Sequence, residues 1–213
     1  MNIKHILWDW NGTLINDTSL CVKILNSFLI IRSKSSISVN FYRNNFYFPV
    51  SGFYKSIGLP HEGKEFNLLS KMFISNYKDL WKQCSLQPHA EKVLRKINDL
   101  NLNQSILSAG HQNDVASFVS ELGLNKYFYS VNGTNNIQAQ GKVGTALKLT
   151  SKLNLQPQEI LLVGDTLHDS QVGDYIGCPT LLFSKGHNSP STLATSKRKI
   201  IDDLMQLMDF VQH

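Results

Sequence analysis

Short apolar runs alternate with segments of helical period along most of this chain. Ile6 to Trp8, Ser105 to Leu107, Tyr127 to Val131, Ile160 to Val163 and Thr180 to Phe183 are too short for helices and are bounded by polar or turn residues. Between and after them, Glu91 to Leu100, Asp114 to Leu122, Val143 to Leu153 and Asp202 to Phe210 carry apolar residues three and four apart, the spacing that lines one face of a helix. Gly123 after Leu122 and the Asp99-Leu100-Asn101 step signal helix ends. Strand and helix in this rhythm predict an α/β fold, a Rossmann-like parallel sheet core with helices on both faces.

The rhythm fails between residues 16 and 85. Two helical patterns, Ser19 to Ile31 and Lys64 to Trp81, flank a stretch rich in Ser, Asn and aromatic residues. The core is therefore expected over 1–15 and 86–213, with 16–85 inserted after the first strand as a small helical cap. The run from Leu20 to Ile31 is interrupted by Lys23, Asn26 and Ser27, while Cys21, Ile24, Leu25, Phe28 and Ile31 recur at helical spacing. That pattern describes an amphipathic helix and argues against a membrane span.

Composition narrows the classes. With 213 residues, 42% apolar and 17% charged, the chain is an ordinary globular one, long enough for a buried domain and a smaller second lobe. Its three cysteines, Cys21, Cys84 and Cys178, are unpaired in spacing, which argues for reduced thiols and against a disulfide framework or a zinc site. Net charge is +5, but the one dense basic cluster, Lys197-Arg198-Lys199, lacks interleaved aromatic residues and reads as a solvated turn, so no nucleic-acid partner is expected. Lys4 precedes an apolar run that ends at once in Trp8-Asp9, so no signal peptide is expected and the reading is cytoplasmic, as a monomer or homodimer without a membrane partner.

Candidate chemistry collects where strands end. In open parallel sheets ligands bind outside the carboxyl ends of the strands. Asp9 closes the first run and opens the turn Trp10-Asn11-Gly12-Thr13; Ser108, Ala109 and Gly110 follow Ile106-Leu107; Asp165 follows Leu161 to Gly164, with Asp169 one helical turn on. Such a set fits phosphoryl transfer. Asp9 can attack phosphorus and form an aspartyl-phosphate, with Thr13 beside it in the catalytic set. A magnesium ion (Mg2+) would take oxygen ligands from Asp9, the Asn11 carbonyl and Asp165, with Asp169 bound either directly or through water. Ser108 and the amides of Ala109 and Gly110 would donate to phosphoryl oxygens.

Asp9-Trp10-Asn11-Gly12-Thr13-Leu14, Ile106-Leu107-Ser108-Ala109-Gly110, Lys142 and Gly164-Asp165-Thr166-Leu167-His168-Asp169 resemble the four ordered motifs of the haloacid dehalogenase superfamily. The resemblance covers nearly everything outside 16–85, and the place of the insertion is similar to the helical cap of phosphoglycolate phosphatase-like members. It singles out Lys142 as the residue that neutralises phosphoryl charge and holds Asp9. The paired acids resemble the magnesium-dependent phosphatases of the superfamily and not its dehalogenases. What it implies is a phosphatase that hydrolyses a small phosphorylated metabolite through Asp9.

One position departs from the pattern. Where most phosphatases of the superfamily carry a second Asp for the leaving group's proton, this chain has Asn11, which cannot exchange a proton near neutral pH. General acid catalysis is worth about 10² to 10⁴ in rate, so its loss should slow turnover without abolishing it. Three alternatives follow: a substrate whose leaving group needs little protonation, a substitute acid, or a persistent phosphoenzyme, the last suiting a slow regulator, a phosphotransferase or a mutase. His111, His168 and His187 are the candidate substitutes, with His168 expected to point along its helix into solvent. In the cap, Arg43 or Lys55 could bind a second anionic group, near Tyr47, Phe48-Pro49 and Tyr54.

Overall fold

The computed structural model describes residues 2–135 and 141–211. In chain order its strands are β1 (His5–Trp8), β2 (Ile15–Asn16), β3 (Ser85–Leu86), β4 (Asn103–His111), β5 (Ser130–Thr134), β6 (Ile160–Gly164), β7 (Thr180–Phe183) and β8 (Lys199–Ile201). A six-stranded sheet runs in the order β5-β4-β1-β6-β7-β8, every neighbouring pair parallel. The short strands β2 and β3 pair antiparallel, with Ile15 opposite Leu86.

Four helices lie between β2 and β3: α1 (Thr18–Ile31), α2 (Val39–Asn45), α3 (Val50–Ser56) and α4 (Gly63–Leu80). The remainder carries α5 (Ala90–Asp99), α6 (Gln112–Glu121), α7 (Val143–Leu153), α8 (Leu167–Ile176), α9 (Pro190–Leu193) and α10 (Met208–Val211). No described helix is long and apolar enough to cross a membrane.

The pleat of the central strands sorts their side chains between two cores. Ile6, Trp8, Ile106, Leu161 and Val163 join the cluster that contains α5 and α6, whereas Leu7, Leu107 and Leu162 join the one built with α7 and α8. Both faces are covered, so β1 and β6 are buried at every position, as expected of parallel strands under crossover helices. Trp8 and Gln104 are paired in this interior: Trp8 Nε1 donates to Gln104 Oε1 at 2.9 Å, and Gln104 Nε2 to the Leu94 carbonyl at 2.9 Å. These bonds tie β1 and α5 to β4 and fix the frame from which Asp9 projects.

Several elements differ from the sequence reading. Ile31 is 74% exposed and is not part of the α1 stripe, which ends at Phe28 and Leu29. The aromatic stretch of the insertion forms two seven-residue helices, α2 and α3, too short to show a helical period. Asp202 to Phe210 is not one helix: Asp203 accepts from Met205 N–H and shares a capping box with Gln206, which winds Leu204–Leu207 as a 3₁₀ turn before α10. The run expected at Tyr127 to Val131 begins as strand only at Ser130, because Tyr127 belongs to a 3₁₀ turn that follows α6. Of the basic cluster, Lys197 turns with positive φ, Arg198 pairs with Asp174, and Lys199 opens the edge strand β8.

Candidate active site

Asp9 stands just beyond β1 and its N–H still donates to the Val163 carbonyl at 2.8 Å, so the end of the sheet sets its position. The chain then turns sharply, with Leu14 and Ile15 N–H both donating to the Trp10 carbonyl. Gly12 sits in this turn at φ +78°, and a Cβ there would lie 2.2 Å from Asp165 Oδ2. Gly186 is required for the same reason, its Cβ position being 2.1 Å from that oxygen. Two glycines therefore let the backbone close around one carboxylate.

Oxygens of Asp9, Asp165 and Asp169 lie within 4.8 Å of one another, all buried. Lys142, at the N-cap of α7 and 1% exposed, ion-pairs with Asp9 and with Asp169 Oδ1 (2.7 Å) and donates to the Leu107 carbonyl (2.9 Å). Asp169 also serves its helix: Oδ2 accepts from Thr166 N–H and Oγ1 in a capping box at the start of α8. Asp165 accepts from Thr13 Oγ1 at 2.8 Å and from His187 N–H at 2.5 Å, while Thr13 Oγ1 is 3.4 Å from Asp9 Oδ2.

Three carboxylates crowd this buried space, and Lys142 pairs with two of them, Asp9 and Asp169. Burial, followed by the repulsion of Asp169 and Asp165, pushes the Asp9 carboxyl well above the usual range against the pull of Lys142. Burial raises Asp165 to about 6. For Asp169 burial acts in the same direction but Lys142 outweighs it, and its pKa falls. Surplus negative charge on closely spaced oxygen ligands is the chemistry that holds a hard divalent cation, so the residues present fit one.

The sheet edge beside Asp9 is also irregular. Leu107 pairs with Asn132 and His111 with Thr134, so four steps of β4 oppose two of β5 and the Ser108–Gly110 peptides bulge from the ladder. Ser108 is buried and its Oγ accepts from Gly110 N–H at 3.0 Å. It does not cap α6; His111 occupies that N-cap.

Asn11 faces a carboxylate that the sequence reading did not select. Its Nδ2 donates to Asp17 Oδ2 at 2.6 Å and to Tyr77 Oη at 3.0 Å. Asp17 is fully buried; it also accepts from Tyr77 Oη (2.8 Å) and Gly12 N–H (2.8 Å), and its Oδ1 lies 3.2 Å from His187 Nε2. Burial opposes charge on Asp17, but His187 and these hydrogen bonds outweigh it and hold the carboxyl below its ordinary range. For His187 burial is likewise outweighed, chiefly by Asp17, and its pKa rises to about 9. Its Nδ1 bonds Tyr42 Oη at 3.0 Å.

Above these groups the helices of the insertion enclose a cavity of about 200 Å³ with Asp9, Asn11 and Lys142 at its polar end. A family model for haloacid dehalogenase-like hydrolases matches residues 6–183. The chain belongs to this family. Curated relatives include phosphoglycolate phosphatases of Salmonella choleraesuis, 28% identical over 142 residues (66% of this chain, 56% of the relative), and of Escherichia coli K12, 25% identical over 140 residues (65% and 56%). The chain thus spans little more than half the length of these relatives. Among solved structures, a haloacid dehalogenase-like family hydrolase from Streptococcus pneumoniae superposes with a TM-score of 0.82 at 16% identity, covering 98% of each chain. Protein tyrosine kinase A of Mycobacterium tuberculosis superposes with a TM-score of 0.79 at 14% identity, covering 100% of this chain and 99% of its own. At such identities the likeness shows the haloacid dehalogenase-like fold alone.

Within that fold the structure brings together Asp9, Asn11, Thr13, Ser108, Lys142, Asp165 and Asp169, and places Ala109, Gly110, His111 and His187 on the cavity wall. Arg43 and Lys55 do not join them. The Arg43 guanidinium donates to the carbonyls of Ser184, Gly186 and Asn188, fastening α2 to the loop after β7. A planar fork of donors suits successive carbonyls as well as an anion, which a sequence does not distinguish. Lys55 is exposed on the last turn of α3 and lines no part of the cavity. His168 does not point into solvent: its Nε2 accepts from Lys142 N–H at 3.1 Å and its ring lies 4.7 Å from that of Phe48. Burial, the main influence, lowers its pKa.

Proposed function

We propose that the chain is a magnesium-dependent phosphoric monoester hydrolase that acts on a small phosphorylated substrate through an aspartyl-phosphate on Asp9. The observation that carries this reading is the sharing of Lys142 Nζ between Asp9 and Asp169 at the polar end of the cavity. Lys142 opposes the upward pull of burial and of the acidic neighbours on Asp9 and offsets charge on the incoming phosphoryl group. An Asp9 oxygen attacks phosphorus, the bond from phosphorus to the ester oxygen breaks, and the alcohol oxygen leaves with its electron pair. Water then attacks phosphorus, the bond to Asp9 breaks, and the carboxylate is restored with release of inorganic phosphate. Ser108 and the amides of Ala109 and Gly110 hold phosphoryl oxygens through both steps. Asp9, Asp165, Asp169 and the Asn11 carbonyl would hold Mg2+, which supplies charge neutralisation where an anion meets a dianion. Residues 16–85 act as the cap that closes over the substrate.

Asn11 favours a second reading. A carboxamide committed to Asp17 and Tyr77 cannot pass a proton, so the phosphoenzyme could persist, as in a regulator, or give its phosphoryl group to an acceptor other than water. Incubation with a panel of phosphate monoesters, with and without Mg2+, separates the two when phosphate release and protein mass are followed together. Catalytic release that needs Mg2+ and is lost in Asp9→Asn supports the hydrolase. A stable phosphoryl adduct without release supports the second reading, and full release by Asp9→Asn contradicts both.

A further inference from the structure

The walls of the cavity are unlike those expected around a doubly anionic substrate. Aromatic side chains dominate them, among them Phe46, Phe48, Phe53, Phe73, Tyr77 and Phe118. Among the described residues its lysines are Lys78 and Lys142. Lys142 is bound to Asp9 and Asp169, and Lys78 to Asp114 at 2.7 Å. Of the three histidines on the wall, His168 Nε2 accepts from a backbone N–H and so carries no proton there, His187 is paired with Asp17, and His111 faces the Asp114 carboxylate at 4.0 Å, beyond hydrogen-bond distance. Arg43 is spent on carbonyls and Lys55 is elsewhere. Residues 136–140, Asn-Ile-Gln-Ala-Gln, bring no charged side chain. A carboxylate beside the phosphate would have to be desolvated against aromatic rings without a free cation to receive it.

Size and leaving-group chemistry narrow the class further. An apolar cavity of about 150 Å³ accepts benzene, so about 200 Å³ has room for one substituted ring. Asn11 cannot protonate the departing oxygen, and both ring nitrogens of His187 are bonded to protein. A leaving oxygen that is weakly basic avoids the need for a proton, and a phenolic oxygen meets that condition where an aliphatic alkoxide does not.

Resting on the hydrolase reading above, we propose that the substrate class is an aryl phosphate with an uncharged ring, seated among these aromatic side chains, and not a carboxylate-bearing phosphate such as phosphoglycolate. Attack by Asp9 on phosphorus expels the phenolate, which takes its proton from solvent after leaving the site. Ring stacking and burial of the aryl group supply the affinity.

The test compares kcat/KM, in Mg2+, for phenyl phosphate, 4-methylphenyl phosphate, 4-carboxyphenyl phosphate and phosphoglycolate. The proposal expects phenyl and 4-methylphenyl phosphate to exceed phosphoglycolate by on the order of 100-fold. It also expects the 4-carboxy group to raise KM at least about tenfold although it makes the phenolate a better leaving group. Equal or better use of phosphoglycolate, or no KM penalty for the carboxyphenyl ester, overturns it while leaving the Asp9 hydrolase intact. Phe73→Arg, which adds a cation to the wall, should narrow the gap between the 4-methylphenyl and 4-carboxyphenyl esters. If no ester is turned over, binding of phenylphosphonate against phosphonoacetate by calorimetry decides: preference for phenylphosphonate sustains the proposal and the reverse order refutes it.

Discussion

The Asn11 carboxamide and the buried Asp17 carboxylate form a 2.6 Å hydrogen bond in which Asn11 is the donor. The polarity of that contact gives the amide a structural reason. A carboxylate at residue 11 would face Asp17 without a proton between them, and two carboxylates at this separation do not both ionise readily. Asn11→Asp should therefore lower the unfolding free energy by about 2 kcal/mol at pH 8. The like charge raises the folded pKa of the pair above its unfolded value, so the deficit shrinks as pH falls through that raised pKa. Adding Asp17→Asn should restore much of the loss. Denaturant titrations of the native protein and the two variants at pH 8 and pH 5.5 check this, and a deficit independent of pH would count against the paired-carboxylate account.

Arg43 holds three carbonyls of the loop that also delivers His187 N–H to Asp165. Arg43→Ala should cost about 2 to 3 kcal/mol in stability, since several charge-assisted hydrogen bonds are lost and carbonyls are left unpaired. Its effect on kcat/KM should be the same factor for esters with and without a second anionic group. A selective loss for the charged esters would instead make Arg43 a substrate ligand.

At the far end of the sheet His5 is buried, bonded to Ser105 Oγ at 2.9 Å, and burial lowers its pKa from 6.5 to about 4. In the window between those values the unfolded chain binds the proton and the folded one does not. Stability from this group is therefore present above pH 6.5 and is lost as pH falls toward 4, by on the order of 3 kcal/mol. Urea unfolding at pH 7 and pH 4.5 should show a steeper loss in the native protein than in His5→Gln, which removes the titration.

Divalent cation binding should report the crowding of Asp9, Asp165 and Asp169 directly. At a Mg2+ concentration ~100 times its Kd, linkage adds about 2.7 kcal/mol. For a chain of this size that raises Tm by roughly 5 to 10 °C. Asp165→Asn removes one ligand and should reduce the shift to less than half, measured by thermal unfolding with and without the ion. An undiminished shift would place the cation elsewhere.

What the sequence made legible follows from how local each signal is. Ile6 to Trp8 and Leu161 to Val163 announce buried strands because an unbroken apolar run has few other uses, and Asp9, Asp165 and Asp169 stand next to those runs. Asp17 was not legible, since only the fold of α4 brings Tyr77 to it, 60 residues away. The roles of Arg43 and His168 depended on which backbone groups lie opposite them, and no pattern along the chain encodes that. Phe46, Phe48 and Phe53 mark the insertion as aromatic, but a sequence does not say whether such rings pack on one another or line a cavity, and here they do both. The shift of β5 to Ser130–Thr134 has a similar origin, because an edge strand rich in polar residues carries little periodic signal.

The central claim is that Asp9 carries the phosphoryl group. Acid-quenched enzyme, taken during turnover of phenyl phosphate in Mg2+ and digested for mass analysis, measures this most directly. The account predicts one phosphoryl increment on the peptide containing Asp9, absent from Asp9→Asn together with phosphate release. An adduct on any other residue, or undiminished release by Asp9→Asn, would contradict it.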